Sequence, residues 1–168
     1  MSEKEEIIDE RLGHSGIFDF VSFYKYAHSW LKEENYGVNE NKYSEKVSGN
    51  ARDILIEWLA TRRLSDYFKI EIKIEFEIDK LSDVEVEVDG ERRKTNKGKI
   101  GMKIRGVIVK DPDSKWDTSP FYRFMRDIYN KYIIPGRVYK IEERIKSTVR
   151  EFKEELKAFL EMSGRRAV

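Results

Sequence analysis

Between Phe68 and Ile78 apolar and charged residues alternate without a break. Phe68, Ile70, Ile72, Ile74, Phe76 and Ile78 are separated by Lys69, Glu71, Lys73, Glu75 and Glu77. A helix would scatter the six apolar side chains around its circumference, whereas a strand collects them on one face. Burying them is worth roughly 10 kcal/mol before conformational entropy is counted, at about 2 kcal/mol each. The charged alternate positions require the other face to be wet, which favours an antiparallel sheet over a parallel one covered on both sides. Glu71, Glu75 and Glu77 are therefore expected to point into water, as are Glu85 and Glu87 further on.

The neighbouring segments extend this sheet. Period two holds from Tyr43 to Lys110. Val84, Val86 and Val88 alternate with Glu85 and Glu87 and run into Asp89-Gly90, a strong hairpin signal. Ile100, Met102 and Ile104 alternate after Lys97-Gly98. Val107 and Val109 then fall in the opposite phase, which predicts a bulge at Gly106. From Ile54 to Ala60, Asn50 or Asp53 would serve as a helix cap, yet Ile54, Ile56 and Trp58 alternate. We read a strand there, joined to Phe68 by a short turn around Leu64 to Asp66.

Helical spacing occurs on either side of the sheet. Ile17, Phe20, Val21, Tyr24, Ala27 and Leu31 share one face of a helix that Ser15 would cap and Asn35 or Gly37 would stop. Its rings, including Phe18, Phe23, Tyr26 and Trp30, are too many for one stripe, so they should meet both the sheet and another helix. The Asp111-Pro112-Asp113-Ser114 sequence reads as a turn. Ser119-Pro120 starts a second helix with Phe121, Phe124, Met125, Ile128 and Tyr132 on one face, and Pro135-Gly136 should end it. A third helix is expected from Val138 to Met162, with Ile141, Ile145, Val149, Phe152, Leu156 and Phe159 spaced for packing on a globular core.

The expected fold is α+β: an N-terminal helix, a four- or five-stranded antiparallel sheet, and two C-terminal helices, the last one long and lying along the sheet. At 168 residues the chain has room for one domain, taken as residues 13–168. Residues 1–12 hold five acids, two cations and few apolar side chains, and read as a loosely docked acidic tail.

Composition narrows the chemistry. Lys and Arg total 33 against 32 Asp and Glu, so the net charge of +1 supplies no global attraction to nucleic acid or membrane. The absence of Cys excludes disulfides, thiol nucleophiles and Cys-ligated metals, and there are only two histidines, His14 and His28. No apolar run reaches the roughly 18 residues of a membrane span, and the acidic start is unlike a signal peptide; the expected location is cytoplasmic. Gln is absent while Lys, Glu, Arg and Ile abound, a composition that points to a thermophile, an archaeon.

Four local phrases carry a resemblance: Tyr43-Ser44-Glu45-Lys46, Ile56-Glu57-Trp58, Asp66-Tyr67-Phe68-Lys69, and the Asp89-Gly90 hairpin before Lys97-Gly98. Over about Phe18 to Leu160 the chain resembles a family of small conserved archaeal proteins without assigned function. The resemblance favours strand at Ile54 to Ala60 and brings no catalytic or binding residues.

One segment departs from what the fold itself needs. Glu91 to Arg105 holds seven cations and one acid, a local charge of +6. Arg92, Arg93, Lys94, Lys97 and Lys99 are the candidate anion-binding residues, because such clusters give affinity for phosphate. The competing reading is a solvated edge whose lysines pair with nearby glutamates. The remaining constellations read as structure. The strand glutamates form a wet face, His28 is a boundary residue, and His14 is a loop residue. The spacing of Gly90, Gly98, Gly101 and Gly106 is not that of a phosphate loop. Phe121, Tyr122, Phe124, Tyr129 and Tyr132 are expected in the core, with an apolar ligand pocket as the competing role. No metal, cofactor or catalytic residue is predicted. The expected function is a non-enzymatic binding or interaction module, holding a protein or a phosphate-rich surface through the basic hairpin or an exposed aromatic surface. The alternative is a small-molecule binder with an apolar pocket between the sheet and the long helix.

Overall fold

The computed structural model describes residues 3–112, 119–133 and 135–166. The alternating segments form one five-stranded antiparallel sheet of β1 (Glu3–Ile17), β2 (Gly37–Ser48), β3 (Ala51–Arg63), β4 (Phe68–Val88) and β5 (Glu91–Lys110), in the spatial order β1-β5-β4-β3-β2. Helix α1 (Phe20–Glu33) follows β1. After β5 come α2 (Pro120–Ile128), a π-helical turn (Tyr129–Ile133) and the long α3 (Pro135–Arg166). The fold is thus α+β with a long last helix, but its first element is a strand and α1 comes second. Asp113 and Ser114 of the expected turn lie outside the described residues.

The strand alternation decides where the core sits. Ile70, Ile72, Ile74, Phe76 and Ile78 of β4 are buried beside Ile54, Ile56, Trp58 and Ala60 of β3 and Ile100, Met102, Ile104 and Ile108 of β5. Ile145, Val149, Phe152, Leu156 and Leu160 of α3 cover one part of this face, and Phe23, Ala27 and Leu31 of α1 another. The aromatic load of α1 is divided as its chemistry demands. Phe23 meets the sheet at Phe76, with ring centroids 5.9 Å apart, while Tyr26 stacks on Phe159 and Trp30 meets Phe152 of α3.

Several local expectations are corrected. Most of the expected acidic tail, residues 1–12, is a paired strand: from Glu3 to Leu12 it pairs with β5 from Lys110 to Met102. Its acids find cations there, Glu6 with Arg105 at 3.9 Å and Glu10 with Lys153 of α3 at 3.2 Å. An edge strand needs backbone partners more than apolar side chains, so low hydrophobicity was a poor guide. Ser15 lies in β1, and Asp19 is the residue that precedes α1. The expected strands at Phe68–Ile78 and Val84–Val88 are one strand, with a shift of its register against β5 between Asp79 and Ser82, where Lys80 has φ 52°.

Gly106 is not a bulge in its pairing with β4; the register runs through Ile72↔Gly106 unbroken, and the irregularity lies opposite it in β1, between Glu6 and Ile8. The opposite phase of Val107 and Val109 is real, and both are buried on the outer face. Pro135 starts α3 instead of stopping α2, consistent with its fixed φ and missing N–H at a first helical turn.

Candidate binding site

The five candidate cations all lie on β5 and are all exposed, but the fold separates them. β3 begins opposite Ser82 and β1 ends opposite Lys97, so beyond those positions β4 and β5 continue as a free two-stranded ribbon. Its tip is Asp89-Gly90, both at positive φ, as a two-residue type I′ turn requires. Arg92, Arg93 and Lys94 belong to the ribbon, whereas Lys97 and Lys99 lie back on the sheet near Asp53 and Asp79.

Directly paired residues share a face. Glu85↔Lys94 and Glu87↔Arg92 therefore make one side of the ribbon a charge ladder, with Arg92 3.8 Å from Glu85. The other side carries Val84↔Thr95 and Val86↔Arg93. From Asp83 to Asn96 the ribbon has five acids against three cations, so the +6 of the sequence segment is locally offset by the strand beside it. The ribbon base is fixed by buried Asn96. Its side-chain oxygen accepts from Phe20 N at 3.0 Å, its carbonyl accepts from Phe18 N, and its amide donates to Asp83 at 2.8 Å.

The valine side of the ribbon faces the C-terminal part of α3 across an open cleft of about 380 Å³. Ile17, Val86, Val88, Phe159 and Met162 supply apolar walls; Arg93, Lys94, Asp19 and Ser22 supply the polar ones. Asp19 is already engaged, accepting from Ser22 Oγ at 2.5 Å. Arg93, on the valine side of the ribbon, thus stands beside an apolar surface, with Lys94 bordering the cleft from the charge-ladder side, an arrangement suited to a molecule with an anionic head and an apolar body. Under the middle of α3 the space is filled, since Ile145, Val149, Phe152 and Leu156 are fully buried against the sheet.

The other candidate groups fall as follows. Glu75 and Glu77 remain on the open outer face, but Glu71 does not point into water. It is only 2% exposed, with Lys4 at 3.2 Å and Lys69 at 3.6 Å. Lys4 belongs to β1, two strands away, so this ion pair was invisible in the local alternation. His14 lies in β1, its Nε2 buried without a hydrogen-bond partner among the described residues and its ring against Phe18. His28 sets its ring edgewise on Trp58 at 5.6 Å. Among the described residues no three His, Asp or Glu side chains gather as metal ligands.

Tyr24 donates to Glu40 at 2.8 Å, and Trp58 Nε1 donates to the same oxygen at 3.2 Å, tying α1 to β2 and β3. Burial, and then the bond to Glu40, push the Tyr24 pKa up to about 12. The aromatic residues expected in the core from this region are not there: Phe121, Tyr122, Phe124 and Tyr132 are all exposed, as is Met125. Tyr129 alone of that set turns inward, meeting Tyr67 at 5.2 Å. No family model matches the chain, and neither does any curated protein or solved structure.

Proposed function

We propose that the protein is a non-enzymatic binding module, and that its ligand is an amphiphilic anion seated between the β4–β5 ribbon and α3. The observation that carries this reading is the placement of Arg93, with Lys94 at the rim, beside the apolar walls of one cleft, formed by Val86 and Val88 on one side and Phe159 and Met162 on the other. Desolvated apolar contact supplies affinity, and the cations select a carboxylate or phosphate head. Of the five hairpin cations, Arg93 and Lys94 border this cleft, whereas Arg92, Lys97 and Lys99 lie outside it.

Thermal shift with medium-chain fatty acids and alkyl phosphates, set against alcohols of equal length, tests this reading. A ligand at one hundred times its Kd should stabilise by about 2.7 kcal/mol. Arg93→Ala with Lys94→Ala should remove the preference for the anion. Equal shifts from acids and alcohols, or an unchanged preference in the variant, would refute it.

The exposed Arg92, Lys97 and Lys99 support a second reading, contact with a phosphate-rich surface. A duplex nucleic acid should then bind with a log–log salt slope near −0.9 per neutralised phosphate. The five acids of the ribbon make that binding weak.

A further inference from the structure

Helix α2 is built inside out. Phe121, Phe124 and Met125 fall on one stripe, continued by Tyr132 within the π-helical turn. Soluble helices turn such a stripe inward. Here it faces solvent, with Phe121 64%, Phe124 61% and Tyr132 70% exposed, and α2 has no buried residue at all. The helix is held instead by its polar side: Arg126 approaches buried Asp111 at the end of β5 to 4.0 Å, and Tyr129 packs on Tyr67. The stripe is therefore a convex ridge that the fold leaves uncovered among the described residues.

We propose that α2 is an interfacial helix that lays Phe121, Phe124 and Met125 into the headgroup region of an anionic lipid surface. Charge selects this occupant. Apart from Arg126, which is engaged with Asp111, residues 119–140 carry Arg123, Lys131, Arg137 and Lys140 against Asp127, the pairing of cations with an aromatic stripe that suits an interfacial helix. A second copy of the chain would bring two such cationic segments face to face. Exposed Tyr122, Tyr132 and Tyr139 add rings with a polar tip, which favour the boundary between water and lipid. Nine residues span about 14 Å as a helix, enough to lie on a bilayer and far short of crossing it.

Vesicle co-sedimentation of the full chain tests the proposal, with pure phosphatidylcholine and with an equal mixture of phosphatidylcholine and phosphatidylglycerol. Binding is expected to the anionic vesicles, weakened by added salt. The Phe121→Ser, Phe124→Ser double variant should bind at least about tenfold more weakly. Its melting temperature should hold, because neither ring is in the core. Absence of binding by the parent protein, or undiminished binding by the variant, would overturn the proposal. A dimer of the parent that the variant splits, without vesicle binding, would overturn it in favour of a second copy.

Discussion

Gly106 of β5 lies directly beneath Ile145 of α3. A Cβ added to the glycine would overlap Ile145 Cγ2 and come within 2.9 Å of Ile8 and 3.2 Å of Val149. The missing side chain is what lets the long helix settle on the sheet. Its φ is not in the left-handed region, so the glycine serves close approach and not backbone freedom.

Gly106→Ala should therefore destabilise the protein by about 1 to 3 kcal/mol through overpacking. Gly101→Ala, whose Cβ would meet nothing closer than 4.0 Å, should change stability by no more than about half a kcal/mol. Equilibrium denaturant unfolding of the two variants checks the contrast.

The two faces of β4 should respond unequally. Ile72→Ala or Ile74→Ala removes a buried side chain and should cost about 2 to 5 kcal/mol through the cavity left behind. Glu75→Ala, on the open face, should stay within about half a kcal/mol. Similar losses from both faces would mean that the charged face is covered.

Glu71 makes the N-terminal strand part of the folded unit. Lys4→Met together with Lys69→Met leaves its carboxylate buried without either lysine and should cost about 3 kcal/mol or more. Either change alone should cost less, since the other lysine remains. Denaturant midpoints of the single and double variants test the coupling.

Tyr24 supplies a pH dependence with a definite sign. Its pKa rises from 10.0 to about 12 on folding, so the folded state holds the phenolic proton more tightly. The associated stability is complete below pH 10 and is lost as pH climbs from 10 toward 12. Ultraviolet titration should show a phenolate that appears late. Tyr24→Phe should flatten the melting curve's decline over that window and cost about 1 kcal/mol at neutral pH.

Period two over Phe68 to Ile78, the Asp89-Gly90 turn and the α3 spacing determined by themselves which elements form and which faces meet, because each rests on contacts that a few residues establish locally. The strand at Ile54–Ala60 and the division of the α1 rings between sheet and helix were legible for the same reason. The β1 edge was not, because its pairing depends on backbone groups and on cations supplied by β5 and α3. The five cations were legible as a cluster, yet their net effect was not: Glu85 and Glu87 reach them only through the hairpin register. Arg93 comes to share a cleft with Phe159 and Met162 only when α3 returns across the sheet. For α2 the apolar stripe was plain in the sequence and its direction was not. Periodicity specifies that a helix has two faces, and only tertiary packing, here through Asp111, Arg126 and Tyr67, decides which of them is turned inward.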